Sequence, residues 1–588
     1  MTAALAIGLA LLLAAMVVGY AYPQGPAEPG AGSAGPGAAP RGAPRWPGFL
    51  PFLIAAAGSA CLLAAGAGAV ITFIFGKVSG VSLLAGLLLL AARSHSLALA
   101  SFAGVPGGAA RTTAYVLLVF GFVVKAGVVP VQVWLPRGYA AAPAPARAVM
   151  AGVAVNAGFY GLWRTFALLG SPPGWLTGIL LILAALTAVI GIAHAAVQTS
   201  LPRVIAYSSV ENTGLIVTGF GVALTGAAVH DQRLVAAGLL AATLQVIAHT
   251  IAKSLLFTCG ATVEAAAGTS DLDGLRGAAR RTPWSGTGFA IGALTLAGLP
   301  LTAGFVSEWF LLESLMQQFR VPGLGYRLVL AVAGAAVALT VGFAGVTFVR
   351  LTGLVVLGPA PNPARGPGGS REYGWLGRAG ITSLAVTCLG AAALTPLEIR
   401  LVGSGLSPLV PAHVTLGALA HPWVLGPVFP GFSVLSPSWL WIIMPALLIG
   451  VILLSLLAAR SRMFRVRRVP AWRSATAGVE GADQYTAFGY TNPTRRVLAG
   501  VLLTRAELHR IEEPADTGGE PGAPQVPHLG YTSDVVELVE EYLYRPLGRP
   551  LMAVVRTAKR LQSGRLDAYL AYMLIALIAI LAVITAIG

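Results

Sequence analysis

Charge is scarce in this chain, and acid is scarcer. Only 10% of the 588 residues are Asp, Glu, Lys or Arg, and 22 acidic residues face 38 Lys and Arg, for a formal net charge of +16. Soluble domains carry about 25% charged residues, so a water-soluble fold is excluded. Cysteine is nearly absent: Cys61, Cys259 and Cys388 lie in separate apolar stretches with no C-x-x-C spacing. Iron–sulfur, zinc and disulfide frameworks are therefore not expected. There is also no Gly-rich phosphate loop, metal-ligand cluster or nucleophile constellation. Catalysis by this chain alone, and a resident cofactor or metal, are not expected. The surplus of arginine could suggest nucleic acid, but these residues are scattered through short segments between apolar runs, not gathered in one basic domain. Nucleic acid is not an expected partner.

What is abundant is apolar sequence. Hydrophobic residues make up 56% of the chain, and its mean hydropathy is +0.78. A membrane span needs roughly 20 mostly apolar residues, and about fourteen such stretches occur, broken by Gly, Pro or Arg clusters. They lie near 3–22, 48–69, 71–92, 112–135, 143–168, 173–198, 203–225, 234–260, 286–300, 301–318, 327–357, 378–396, 437–459 and 568–587. Strands of a barrel would alternate over about ten residues, whereas these runs are continuous and longer. The expected fold is an all-α polytopic transmembrane bundle in the lipid bilayer.

The stretch at 3–22 is read as a first span, not a signal peptide, because no Lys or Arg precedes it and it exceeds a usual h-region. A Pro/Gly/Ala-rich loop follows over 23–47. The main bundle is placed at 48–459, a polar segment at 460–567 and a last span at 568–588. Arg460, Arg462, Arg465, Arg467 and Arg468 directly follow a span, which places the polar segment in the cytoplasm by the positive-inside rule. Within it, residues 533–562 are amphipathic. Val536, Val539, Leu543, Leu547, Leu551, Val554 and Leu561 recur at helical spacing opposite Glu537, Glu540, Arg556, Lys559 and Arg560. Pro546 and Pro550 leave two short helices and one rod equally open.

Ionisable residues deep in apolar runs carry the functional signal. Each costs about 2.5–3.5 kcal/mol on insertion scales, so it faces a cavity or a partner. Lys125, Glu211, His249, Lys253, Glu308 and Arg350 meet this description. Pro130 follows Lys125 and should break that helix, freeing carbonyls and admitting water beside the ammonium. His249 and Lys253, at i and i+4, share a helix face, where a proton can pass between them through water. The competing reading is that such charges only neutralise a partner on a neighbouring helix. For His194, which has no charged neighbour in its run, packing explains the residue equally well, and Lys77 and His95 near span ends are explained by snorkelling.

These residues sit in motifs. KAGVVPVQVWLPRGYAAAPAPARAVMAGVAVNAGFYGLWR (125–164), AYSSVENTG (206–214), HTIAKSLLF (249–257), SDLDGLRGAARRTPW (270–284) and GLPLTAGFVSEW (298–309) follow in this order. Together they resemble the antiporter-like membrane subunits of respiratory complex I and its group 4 hydrogenase relatives. VEN at Glu211, QYTAFGYTNPTRR (484–496) and LQSGRLDAYLAY (561–572) resemble the hydrogenase-4 component B and formate hydrogenlyase subunit 3 branch more than the complex I subunits. The resemblance covers roughly residues 70 to 588 and implies inverted repeats with two broken helices. It also implies proton movement along a central polar row, driven by electron transfer in a peripheral arm. The implied partners are other membrane subunits of such an assembly.

By the same resemblance, Lys125 matches the lysine of the first broken helix, His249 and Lys253 match the central helix, and Glu308 matches the acid of GFVSEW. Arg350 stands where a lysine is usual in the second broken helix. The departures are informative. The glutamate that normally partners the first lysine is missing from 48–69, which has no acidic residue. Asn156 replaces a lysine and Gln245 a histidine; both can order water but cannot hold a proton. An arginine stays charged, so Arg350 can gate but not relay. Three functions stay open: a proton-translocating subunit of a hydrogenase-like or complex I-like pump, a non-conducting scaffold of such a complex, and a subunit of a multisubunit cation/proton antiporter. The last should lack the tail motifs from 484 to 572.

Overall fold

Glycine, proline and aspartate set where the helices start and stop. The computed structural model describes residues 67–358, 372–433, 436–458, 486–511 and 528–560, with four single helical positions beyond. The stretches expected at 3–22 and 23–47, most of 48–69, the arginine cluster at 460–468 and nearly all of 568–587 lie outside the described residues.

The first helices are α1 (Ala67–Ser94), α2 (Ala109–Ala126), α3 (Trp134–Ala141) and α4 (Ala144–Val149), followed by a π turn at Met150–Ala154 and α5 (Asn156–Leu169). Next come α6 (Gly174–Val197), α7 (Leu201–Ala228), α8 (Gln232–Ala267), α9 (Pro283–Leu296), α10 (Ala303–Leu315) and α11 (Leu324–Thr352). The last of these runs on into a π turn at Gly353–Leu357. Then follow α12 (Trp375–Ala393), α13 (Thr395–Leu406), α14 (Ala412–Thr415), a small hairpin of β1 (Leu419–His421) and β2 (Val424–Leu425), α15 (Pro437–Ala458) and α16 (Ala487–Val497). Pro202 and Pro283 occupy first turns, where a missing N–H costs nothing. Asp231 caps α8 by accepting from the Arg233 and Leu234 amides. Gly127 and Gly268 end α2 and α8 in the left-handed conformation.

Among the described residues, seven helices are long and apolar enough to cross a bilayer. In α15 only Pro437 is buried, so this helix is apolar toward its surroundings on every side, as lipid requires. The other extreme is α7, in which every residue over 204–226 is buried. It packs between α6 and α8 through small residues. A Cβ on Gly191 would come 2.3 Å from the Glu211 amide nitrogen, and one on Gly214 would come 2.3 Å from that of Ala188. A Cβ on Gly238 of α8 would come 2.6 Å from the Ala223 nitrogen of α7. Such backbone contact is how helices associate where no hydrophobic effect drives them together.

Hydrogen bonds at the helix ends show which termini share a side. Leu201 N donates to Ser270 O at 2.9 Å, Leu272 N to Thr199 O at 2.8 Å and Gly277 N to Leu354 O at 2.9 Å. Ala487 N donates to Asp273 Oδ1 at 2.8 Å. The ends of α6, α8 and α11 and the starts of α7 and α16 therefore meet at one face. At the opposite face, the start of α6 touches that of α11, where a Cβ on Gly174 would reach Tyr326 Oη at 2.6 Å. There α10 also ends, leading into α11 through a short 3-10 turn at Gln318–Arg320.

Residues from Ala499 onward form a second unit. It contains α17 (Ala499–Leu502), the antiparallel strands β3 (Arg505–Ile511) and β4 (His528–Asp534), a π turn at Glu540–Tyr544 and α18 (Arg545–Arg560). The amphipathic spacing predicts a helix from 533; the strand β4 instead runs to Asp534. Pro550 lies inside α18 without ending it, so one rod forms after the π turn. Arg505 and Arg545 both pair with Glu541, at 3.6 Å and 2.6 Å.

Candidate functional site

The buried face between α7 and α8 holds the central charges. Lys253 is wholly buried and its ammonium donates to the Ile205 carbonyl at 2.8 Å and to Ser208 Oγ, one turn apart on α7. Phe348 of α11 presents its ring 5.9 Å from the ammonium. Glu211 and His249, likewise fully buried, lie within electrostatic reach of Lys253. Neither His249 nitrogen, nor Glu211 Oε1, has a hydrogen-bond partner among the described residues. The (i, i+4) spacing thus does place His249 and Lys253 together in the interior.

A polar chain leads away from this centre toward α10. Asn212 Nδ2 donates to Ser208 O at 2.8 Å and lies 3.5 Å from Glu211 Oε2. Gln245 Nε2 donates to Asn212 Oδ1 at 2.7 Å, and Ser307 Oγ donates to Gln245 Oε1. Ser307 adjoins Glu308, which is 4% exposed and whose charge reaches Glu211. Between α9 and α10 the helix is interrupted over 297–302, and Gly298, with φ +63°, lies directly against the Glu308 carboxylate. Gln245 is therefore a link between two helices within this chain of contacts.

Lys125 sits in the last turn of α2 and is exposed. Among the described residues no carboxylate forms an ion pair with it. The interruption after it, over 127–133, leaves backbone groups that neighbouring side chains satisfy. Thr213 Oγ1 donates to Ala126 O at 3.0 Å, Trp134 Nε1 to Val124 O at 2.9 Å, and Val129 N to Thr187 Oγ1 at 3.0 Å. Irregular backbone at membrane depth persists only when it is satisfied in this way. Inside the same interruption, the buried Gln132 amide has no partner among the described residues. Asn156, just past the π turn, donates to Thr250 Oγ1 and to Gly152 O, both at 2.6 Å. Thr250 neighbours His249, so Asn156 ties α5 to the central helix.

Arg350 stands apart from this row. It lies within the uninterrupted α11, not at a helix break, and donates to Ala196 O at 2.5 Å and Gln198 O at 3.1 Å. Arg495 of α16 adds a bond to Val197 O at 3.2 Å. Two arginines thus cap the C-terminus of α6, where carbonyls and the helix dipole attract cations. His194, buried in α6, has its ring edge-on to Tyr207 at 5.1 Å, and neither of its ring nitrogens has a hydrogen-bond partner among the described residues. Sequence reasoning misses Ser208, Asn212 and Ser307. Ser and Asn in a helix normally bond their own backbone, and only their position between charged neighbours marks them. Among the described residues no group of His, Cys, Asp and Glu could hold a metal.

Known proteins resemble this chain. The family described as NADH:quinone oxidoreductase/Mrp antiporter, transmembrane, matches residues 50–332. An uncharacterized protein of Mycobacterium tuberculosis is 33% identical over 507 residues, covering 84% of this chain and 75% of that protein. Hydrogenase-4 component B of Escherichia coli is 29% identical over 525 residues, covering 85% and 73% of the two chains. Formate hydrogenlyase subunit 3 of the same bacterium is 26% identical over 403 residues, covering 68% and 62%. Among solved structures, a chain of the membrane-bound sulfane sulfur reductase, an archaeal respiratory membrane complex, matches with a TM-score of 0.61 and 21% identity over 91% of this chain and 80% of that one. With its long apolar helices and these relatives, this chain is an integral membrane protein that belongs to the NADH:quinone oxidoreductase/Mrp antiporter family.

Proposed function

We propose that this chain is the proton-translocating membrane subunit of a hydrogenase-4-like or complex I-like redox-driven pump. The observation that carries this reading is Lys253, a fully buried cation held by a carbonyl and a hydroxyl, with no carboxylate in ion-pair contact among the described residues. A structural ion pair would place the acid against the ammonium, because a desolvated charge is costly unless directly paired. Here Glu211 lies nearby yet uses its neighbour Asn212, which leaves the centre free to exchange a proton. The unpartnered nitrogens of His249 and the Gln132 amide support internal water along the row, since buried polar groups without protein partners bind water.

In this reading Lys125 stands at the entrance, Lys253, His249 and Glu211 form the exchange centre, and Glu308 takes the proton onward. Asn156 and Gln245 order the chain of contacts. Arg350 holds the end of α6 and acts on the row only through its charge. About fourteen spans with two broken helices, a cytoplasmic polar segment at 460–567 and residence in the plasma membrane complete the proposal. Its partners are further membrane subunits and a peripheral redox arm that delivers the energy. The second reading, a non-conducting scaffold of such a complex, draws on one observation, an exposed Lys125 without an ion pair among the described residues.

The deciding measurement is proton uptake by vesicles containing the purified complex. Lys253→Ala and His249→Ala are expected to abolish pumping while the complex still assembles. Unchanged pumping in both variants would overturn conduction and leave the scaffold.

A further inference from the structure

Beyond Glu308, the same helix carries a second buried acid. Glu313 is fully buried, and its Oε1 accepts from the Phe429 amide at 2.7 Å, with the Val428 amide also facing the carboxylate. Its Oε2 has no hydrogen-bond partner among the described residues, and neither does Oε1 of Gln317 one turn on, a side chain only 4% exposed. Among the described residues no Lys or Arg forms an ion pair with Glu313. The Gln317 side-chain amide nitrogen donates to Glu313 O at 3.2 Å, so it is the two oxygens that are left over, and a carboxylate needed only to tether the 428–429 loop would not require a second, unsatisfied buried oxygen. Arg320, exposed and stacked at 5.6 Å over the Phe429 ring, marks the surface just above.

The position along the helix gives this pair of acids a direction. Glu313 follows Glu308 by five residues, about 7.5 Å along the helix axis at a rise of about 1.5 Å per residue. It lies toward the face opposite the one where Arg280, Arg350 and Arg495 cap the helix ends. Five residues also turn the helix by about 140°, so the two carboxylates do not meet.

We infer that Glu313 is a further proton-carrying carboxylate, the last protein group on the route from Glu308 to the face of the membrane away from the arginine-capped helix ends. This rests on the proposed conduction reading. A proton leaving Glu308 crosses to Glu313 Oε2 through water, then leaves Glu313 for the aqueous phase, and the carboxyl returns to its starting charge. Phe429 and Val428 fix the carboxylate from the backbone, while Gln317 supplies the polar surface next to the free oxygen.

The test uses the intact complex in vesicles with Glu313→Gln, whose amide oxygen can still accept the Phe429 hydrogen bond. Lys253→Met and the wild type run in parallel, with redox turnover and subunit content measured in each. A loss of at least tenfold in proton uptake by Glu313→Gln, with assembly and the complex's melting temperature unchanged and uptake regained in Glu313→Asp, is the expected result. Wild-type uptake in Glu313→Gln beside abolished uptake in Lys253→Met overturns Glu313 alone. Unchanged uptake in both overturns the conduction reading beneath it. Loss of uptake accompanied by a lower melting temperature assigns Glu313 to the tether and likewise overturns the inference.

Discussion

The Glu308 carboxylate rests on the backbone of Gly298: a Cβ placed at Gly298 would lie 2.1 Å from Glu308 Oε2. The same residue has φ +63°, which only glycine adopts without cost. Gly298→Ala is therefore expected to add roughly 1–2 kcal/mol of backbone strain and to push the carboxylate out of the helix interruption. Proton uptake should fall sharply even where the complex assembles. Wild-type uptake in this variant would show that the position of Glu308 over the break is immaterial.

Ser208 holds the Lys253 ammonium together with Ile205 O. Ser208→Ala removes a hydrogen bond to a charged group, worth about 1.5–3 kcal/mol, and leaves the carbonyl as the remaining partner. Uptake is expected to fall by about tenfold, the kinetic equivalent of about 1.4 kcal/mol, with subunit content unchanged. Ser208→Thr, which keeps the hydroxyl, should retain most of the rate.

Arg350 binds Ala196 O and Gln198 O at the end of α6, so its removal should first be felt in stability. Arg350→Met keeps much of the apolar stem and loses the cap, and a cost of about 2–3 kcal/mol is expected from the lost charge-assisted bonds. Thermal unfolding of the purified complex should shift downward, while pumping per intact complex weakens but persists, since only a charge acting on the row from outside is removed. A stable Arg350→Met complex that no longer pumps would instead place Arg350 in the conduction row.

Gly191 allows α6 to touch the backbone of Glu211, since a Cβ added at this glycine would lie 2.3 Å from the Glu211 nitrogen. Gly191→Ala must separate the two helices at the exchange centre, and overpacking of this kind costs about 1–3 kcal/mol. Gly178, on the same helix, has nothing within 4 Å of its Cβ position. Gly178→Ala is expected to be neutral or to stabilise by about 0.5–1 kcal/mol, the helix preference of alanine over glycine. Melting temperatures of the two variants should therefore move in opposite directions or differ clearly; equal values would contradict the close α6–α7 contact.

Membrane embedding and helix placement were legible without a structure because the bilayer imposes a one-dimensional rule: about 20 apolar residues per crossing. The expected stretches 173–198, 203–225 and 437–459 coincide within a few residues with α6, α7 and α15. Pro130 announced the interruption after Lys125, since its missing N–H is a local property. The strands β3 and β4 were not legible. In β3 the alternation of Arg505, Ala506, Glu507, Leu508 and His509 lasts only five residues within a long polar segment, and β4 does not repeat it.

The sequence by itself determined that the protein is a helical membrane bundle, which family it belongs to, and that several charged residues lie within long apolar runs. These follow from composition, run length and motif order. Only the tertiary structure decided what each charge touches. Lys253 meets Ile205, 48 positions away, and Arg350 meets Ala196, 154 positions away; no local pattern encodes such pairings. It also separated Lys253 among neutral oxygens from Arg350 on a helix end, and revealed Glu313 as a buried acid with a free oxygen. The physical reason is that the cost of a buried charge is set by the few groups within hydrogen-bond distance, and packing, not sequence order, chooses those groups.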